Sequence, residues 1–356
     1  MRIGIISPYS LTLPGGVQGQ ILGLARALRH KGHETRVLGP CDGPPPDAGV
    51  TPLGNSLPTL ANGSMAPIAP DIPAQLRTIR AVRDEAFDVV HLHEPLAPGV
   101  TMTAMLFKTQ PLVGTFHAAG GSLAYEWLRP GVRWLAKRLD VRCAVSEDAR
   151  AMAQSALGGE YHVVFNGIEV ERFARARPTP KVAPTIFFVG RHEPRKGLGV
   201  LLAALQQLPA DIKVWIAGDG PETKALQTQV AGDPRIEWLG RISEEEKASR
   251  LRAADVFCAP SLHGESFGIV LLEAMAAGAA LVASDLPGYA NVARDGRDAL
   301  LVPPGDATAL AKAINEVLCS PTRHAELVES GRERAEHFSM LRLADIYIDY
   351  YRDAVG

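Results

Sequence analysis

Cysteine is scarce: Cys41, Cys143, Cys258 and Cys319 are the only four in 356 residues. They lie far apart, with no metal-ligand or redox spacing, which argues against a disulfide scaffold and suits a reducing compartment. Excess charge is also missing. A formal net charge of −2 supplies no global field for nucleic acid or membrane, so any such preference has to come from a local patch, and no nucleic-acid partner is expected. No run of about 18 uncharged apolar residues occurs, and the apolar opening Ile3 to Ile6 stops at Pro8, too short for a signal peptide. A cytoplasmic chain, at most touching a membrane, is expected. Two phosphate-binding fingerprints are absent as well: no strand leads into Gly-x-Gly-x-x-Gly, and no Gly-x-x-x-x-Gly-Lys-Ser/Thr is present. No Asp-x-Asp is available to hold a metal ion, and no internal sequence repeat is visible.

What is present is a core-forming composition, 46% hydrophobic and 21% charged, in a chain long enough for two cores. Short apolar runs at Ile3 to Ile6, Thr35 to Leu38, Val89 to Leu92, Leu112 to Thr115 and Arg142 to Val145 read as buried parallel strands. Amphipathic helices separate them; in the first, Val17, Ile21, Leu24, Ala25 and Leu28 share a face directly after Gly15-Gly16. A second series of strands is predicted at Thr185 to Val189, Lys213 to Ala217, Ile236 to Leu239, Val256 to Ala259 and Ala280 to Ser284. Between the two series runs a proline-rich stretch that suits a connection. The predicted organisation is α/β: a Rossmann-like domain over 1–173, a linker over 174–184, a second Rossmann-like domain over 185–338, and a C-terminal helix over 339–356 docking back on the first domain.

Chemistry concentrates in two segments. His263 to Gly278 carries Glu265 at a loop-helix junction and Glu273 two turns into an apolar helix. The amides of Phe267, Gly268, Ile269 and Val270 would form a helix N-terminus, which offers unpaired donors and a positive dipole end to a diphosphate. Glu273 would be costly to bury unless its carboxylate accepted hydrogen bonds, and a ribose diol supplies two. A capping Glu265 with a half-exposed Glu273 fits the same pattern. The second segment, Gly190 to Gly197, puts Arg191 and Lys196 after a strand, where doubly wound sheets bind ligands and where a fork and a point charge could hold two phosphates. A solvated basic loop is the plainer alternative.

With these residues the chain resembles the retaining glycosyltransferases of sequence family four, whose glutamate, seven residues, glutamate signature is matched by Glu265 and Glu273 and whose Arg…Lys pair is matched by Arg191 and Lys196. The resemblance spans nearly the whole chain and takes in Pro14-Gly15-Gly16, His117 in Gly114-Thr115-Phe116-His117, Asn166-Gly167-Ile168 and Ala283-Ser284-Asp285. It implies a GT-B fold, two doubly wound domains facing a central cleft, and a nucleotide-sugar donor with no further cofactor and no metal. It also implies that Glu265 contacts the transferred sugar, Glu273 the ribose, Arg191 and Lys196 the diphosphate, and that His117 faces the sugar. Gly15 and Gly16 would bring backbone amides near the phosphates. Taken without the resemblance, His117 reads as a core histidine at a strand end.

Within the family, Ser7-Pro8-Tyr9-Ser10, Pro14 to Gln18, His91-Leu92-His93-Glu94-Pro95, Glu193 to Gly197 and Gly264 to Leu271 resemble the members that move mannose from GDP-mannose to phosphatidylinositol. That likeness implies a guanine pocket around Arg241, Ile242, Glu244 and Lys247, and an acceptor side including Tyr9, Gln18 and Asn62. The chain departs from that group at Asn62 to Pro70, which lacks arginines, and at His117 to Ser122, which lacks threonines and a lysine, so a phosphoinositide headgroup loses cationic partners. Basic surface lies elsewhere: Arg77, Arg80 and Arg83 recur along one predicted helix, and Arg129, Arg133, Lys137, Arg138 and Arg142 surround Trp127, Trp134 and Leu135. A basic amphipathic helix can rest on anionic lipid at the inner face of the cell membrane, and solvated helix faces are the alternative. A family member acting on another lipid or a small molecule, with a UDP-sugar as the alternative donor, a silent nucleotide-sugar binder and a nucleotide-sugar epimerase are the competing functions.

Overall fold

A computed structural model of the chain describes residues 1–13, 15–61, 64–117, 129–265 and 267–356. It divides into two compact units, one built from Met1–Gly167 with Met340–Gly356 and the other from Ile168–Ser339.

The first unit is a seven-stranded parallel sheet. Its strands are β1 (Arg2–Ile6), β2 (Glu34–Gly39), β3 (Val50–Pro52), β6 (Val89–His93), β7 (Leu112–Phe116), β8 (Val141–Ala144) and β9 (His162–Val163), in the order β3-β2-β1-β6-β7-β8-β9. A separate antiparallel hairpin joins β4 (Leu57–Ala61) to β5 (Ser64–Ile68). Alternate residues of each strand serve opposite faces, which is why the runs are apolar throughout rather than alternating. On one face Ile3, Ile5, Val37 and Val89 pack with Ile21, Leu24 and Leu28 of the helix Gly16–His30; on the other Ile6, Leu38, Val90 and Leu92 pack with Val82, Val100 and Met105. The helix Met340–Val355 covers the first of these faces with Leu343, Tyr347, Ile348 and Tyr351, all buried. Each such large side chain contributes at most about 1.5–3 kcal/mol.

The second unit repeats the plan with six parallel strands: β10 (Thr185–Val189), β11 (Lys213–Ala217), β12 (Ile236–Gly240), β13 (Val256–Ala259), β14 (Ala280–Ser284) and β15 (Leu300–Val302). Their order is β12-β11-β10-β13-β14-β15, so the chain reverses its direction of travel between β10 and β13. Loops leaving those two strands diverge at their C-terminal ends, the place where open α/β sheets accommodate ligands.

Two differences from the sequence expectation have plain causes. Residues 168–173 pack with the second unit, because Val170 and Phe173 of the short helix Val170–Ala174 are buried and that helix lies against Glu244–Ala253 and Ile269–Ala277. The basic residues from Arg129 to Arg142, expected to offer one amphipathic helix to lipid, span two elements: the helix is Arg129–Ala136, and Arg142 lies in β8, as its apolar run suggested.

The backbone after β10 is pinned by Gly197, whose φ of +66° belongs to the left-handed region and whose added Cβ would fall 1.9 Å from the Pro260 carbonyl oxygen. Strain of this kind costs about 1–3 kcal/mol before any clash is counted. Gly197→Ala is therefore expected to lower the denaturant midpoint of the protein by at least that equivalent, and an unchanged midpoint would show that the loop yields without cost.

Candidate functional site

In the second unit, Gly190 donates to the Ala217 carbonyl at 3.1 Å and His192 to the Asp219 carbonyl at 2.9 Å, so the loop after β10 lies along the loop after β11. A tight turn over Pro194–Lys196 then presents Lys196, whose Nζ donates to Glu265 Oε1 at 2.6 Å. Ser261 Oγ donates to the same oxygen at 3.0 Å, and Arg195 Nη1 lies 3.4 Å from it. Arg195 Nε sits 2.7 Å from Glu193. Glu265, with 12% of its side chain exposed, is thus a sheltered carboxylate held by two cations and a hydroxyl. Behind it, the Tyr289 hydroxyl shares Ser261 at 3.0 Å and is pushed above its ordinary range, by burial first and by Glu265 second.

Arg191 stands apart from this cluster. Its side chain is 70% exposed and its nearest acidic group is Glu193 at 3.6 Å. Arg191, Arg195 and Lys196 together face Glu193 and Glu265, which leaves a cationic surplus for an incoming anion. Arg191 also borders a cavity of about 1070 Å³ lined by Gly218, Gly220, Ile242, Glu244 and Lys247. Gly218 keeps that wall thin: its φ is +113°, and a Cβ there would come within 1.9 Å of the Gly190 carbonyl oxygen.

The helix Ile269–Ala277 starts after Gly268, and its first amides have no intrahelical acceptor. Phe267 is buried edge-on against Phe338, while Ile269 and Val270 are only half-buried, so the helix end is reachable. Glu273 accepts from Lys247 Nζ at 3.0 Å, and Lys247 also reaches Glu244 at 2.8 Å. Burial by itself lowers the Lys247 pKa, but Glu273 and Glu244 outweigh it and hold the ammonium above its ordinary range. Burial likewise raises the Glu273 carboxyl, with Lys247 opposing. Glu265 and Glu273 therefore each have their own lysine. One cation, Lys247, serves both the carboxylate expected at the base and the one expected at the ribose.

In the first unit, Gly15 precedes the helix Gly16–His30 in extended backbone, and a Cβ on it would meet Gln18 Oε1 at 2.2 Å. A Cβ on Gly16 would meet nothing within 4 Å, so that backbone is open to approach. Gln18 is buried and turned back, donating to the Ser10 carbonyl at 3.3 Å, which leaves less of its amide for an acceptor than the sequence suggests. Tyr9 is half-buried with its hydroxyl pushed up to about 12, by burial and then by Glu94. Asn62 lies outside the described residues, as do Pro14, Ser266, Trp127 and Ala118 to Ser122. His117 donates its backbone N–H to Glu94 Oε1 at 2.7 Å, and its Nε2 lies 2.7 Å from His93 Nδ1. Burial lowers the His117 pKa to about 4. The adjacent His91 is fully buried and bonded to Tyr351 Oη and Thr115 Oγ1, each at 2.8 Å.

Arg195, Glu193, Ser261, His93 and Glu94 are the site residues that sequence reasoning did not single out. The signals were there for three of them: His93 ends a strand, Glu94 follows it directly, and Arg195 adjoins Lys196. Among the described residues no group of three or more His, Cys, Asp or Glu is placed to hold a metal ion.

Two α/β units of this topology are the architecture of the GT-B glycosyltransferases. Residues 14–172 match the family model described as Glycosyltransferase Family 4 and residues 183–320 the one described as Glycosyl transferases group 1. The chain is 41% identical over 350 residues to the phosphatidyl-myo-inositol mannosyltransferase of Mycolicibacterium smegmatis, covering 95% of this chain and 90% of that one. It is 39% identical over 351 residues to the protein of that name from Mycobacterium leprae, covering 95% and 93%. A glycosyltransferase from Rickettsia africae shares the fold, with a TM-score of 0.76 at 17% identity over 100% of this chain and 98% of its own. The chain belongs to glycosyltransferase family 4.

The buried histidines make stability depend on pH. His91 titrates at about 3 when folded, lowered by burial and by His117, against 6.5 for an ordinary histidine. The unfolded chain therefore binds more protons as the pH falls below 6.5, and the stability present above that value drains away toward acid. Between pH 6.5 and 5, above the carboxylate range, His91→Asn is expected to flatten the fall in unfolding free energy by up to about 1.4 kcal/mol per pH unit. Denaturation series at several pH values measure this, and identical slopes in the two proteins would contradict it.

Proposed function

We propose that this chain transfers mannose from GDP-mannose to the inositol of phosphatidylinositol, with retention of anomeric configuration and without a metal ion, while resting on the inner face of the cell membrane. The observation that carries the reading is the Lys196–Glu265–Arg195 cluster at the switch between β10 and β13, where cations outnumber carboxylates. As the bond between mannose and diphosphate breaks, negative charge accumulates on the leaving group. Lys196, Arg191 and the amides at the start of the helix Ile269–Ala277 would stabilise it there. Glu265 would orient the sugar hydroxyls, and Glu273, kept in place by Lys247, would accept from the ribose. Ile242, Glu244 and Lys247 border a cavity of sufficient size for the base. Glu244 could accept from the ring N–H and amino group of guanine, which uracil does not match. In the first unit, His117, Gly16 and Tyr9 would meet the sugar and the acceptor.

The lipid acceptor is supported by the activity for which the mycobacterial relatives are named and by the helix Ile72–Asp84. Ile72 is 70% and Leu76 61% exposed, and the exposed Arg80 and Arg83 continue the same stripe. Arg77, also exposed, donates to the Leu53 carbonyl at 2.7 Å. Among the described residues no helix is long and apolar enough to cross a membrane. The missing cations around Ser64 and after His117 favour, as a second reading, a family member acting on a different lipid or a soluble acceptor, with a UDP-sugar as the alternative donor.

Lys196→Ala and Arg191→Ala are each expected to lower turnover about a hundredfold or more, since an uncompensated leaving diphosphate forfeits several kcal/mol. Turnover near wild type in both would remove the phosphate assignment. The acceptor and donor are tested together by giving the purified protein GDP-mannose or UDP-glucose with phosphatidylinositol vesicles in the presence of a chelator. Mannolipid formed from GDP-mannose is the expected product; rapid transfer to a soluble acceptor with no mannolipid would move the assignment to the second reading.

A further inference from the structure

His93 ends β6 and His117 follows the end of β7, the neighbouring strand, in a register that pairs His93 with Thr115. Both rings are therefore carried on fixed backbone. His93 is 2% exposed, and its Nε2 has no hydrogen-bond partner among the described residues. Its Nδ1 meets His117 Nε2 at 2.7 Å, so one of these two nitrogens carries a proton and the other a lone pair. If His117 were the donor, the His93 proton would sit on the buried, unpartnered Nε2. Orphaned buried N–H groups are rarer than under-satisfied acceptors. If His93 Nδ1–H is the donor, only a bare lone pair is left at Nε2, and the His117 proton resides on Nδ1.

We propose that His93 is a positioning residue whose Nδ1–H donates to His117 Nε2 and thereby holds His117 in its Nδ1–H form. Glu94 fixes the backbone of the same residue by accepting its N–H, so both the ring and the main chain of His117 are set from β6 and the loop that follows it. In this form His117 offers a hydrogen bond from Nδ1 to a sugar hydroxyl or a phosphate oxygen, and it has no lone pair there to take a proton. His117 acts as a donor, not as a general base. The catalytic consequence rests on the function proposed above; the tautomer does not.

Long-range proton–nitrogen correlation spectra of the full chain, with His117→Asn used to assign the His117 ring, read the tautomer directly. The wild-type ring is expected to be protonated at Nδ1. His93→Asn, whose amide N–H can take the place of Nδ1–H, should keep that signature, and His93→Phe should give a mixture of both forms. Transfer should follow: His93→Phe lowers kcat about tenfold with the donor KM little changed, and His93→Asn restores most of it. A wild-type ring protonated at Nε2, or an unchanged His117 signature in folded His93→Phe, overturns the proposal. If His93→Phe does not fold, the wild-type spectrum and His93→Asn still decide it. An Nδ1–H signature in a protein that transfers no sugar would sink the enzymatic reading and leave the positioning role standing.

Discussion

The second unit is organised around one ion pair, Lys196 to Glu265 at 2.6 Å. A carboxylate with 12% of its side chain exposed is expensive to desolvate, and one lysine alone seldom offsets that cost. Here Ser261 and Arg195 supply further partners, so three donors converge on Oε1 of the carboxylate. Everything that delivers Lys196 to this point is backbone: the parallel register of β10 and β13, the turn at Pro194–Lys196, and Gly197 pressed against Pro260. The pair is held on the lysine side by a tight turn, Pro194–Lys196. That is the condition for preorganised charge, which stabilises a developing anion without first having to rearrange.

The periodicity of the sequence located this frame well. The runs at 185–189, 213–217, 256–259 and 280–284 coincide with strands, because strands buried on both faces are continuous apolar runs and need no alternation to be seen. Short or proline-bearing strands were not visible. The hairpin Leu57–Ala61 with Ser64–Ile68 carries Pro58 and Pro67, which pair opposite each other, and β15 has only three residues. At the site, Glu265, Glu273, Lys196 and Lys247 could be singled out by residue type, but not their pairing. Lys247 meets Glu273 across 26 residues, through the packing of two helices that no local pattern encodes. Arg191 shows the converse: its motif position is clear, yet its side chain extends away from the cluster it was grouped with.

The histidines of the first unit depend on contacts made across most of the chain's length. His91 bonds to Tyr351, 260 residues away, and Thr115 bonds to Tyr347 on the same C-terminal helix. Tyr347 and Tyr351 are fully buried with hydroxyls held well above their ordinary range by burial, so they remain neutral partners. The helix Met340–Val355 thus satisfies polar atoms on the floor of the array that the sheet alone would strand. His93 Nε2 is the atom of this group left without a partner among the described residues. A buried network with one open position selects a tautomer by exclusion, which is how packing far from His117 bears on the chemistry of its ring.

Several arginines of the first unit also serve the backbone. Arg133 donates to the Ala156 carbonyl, Arg138 to Met105 and Arg142 to Gly158, each closing the end of a helix or turn, and Arg77 does the same at Leu53. Arg80 and Arg83 stay at the surface, but both lie near Asp84, which cancels part of their field. Two cations contribute about 1 kcal/mol each at an anionic surface, whereas fully burying Ile72 and Leu76 would contribute about 1.5–3 kcal/mol each. The membrane contact proposed here would therefore draw on apolar insertion as well as on Coulomb attraction. Only the Coulomb part is screened, within about 8 Å at physiological ionic strength, so such a contact weakens with salt without being abolished by it.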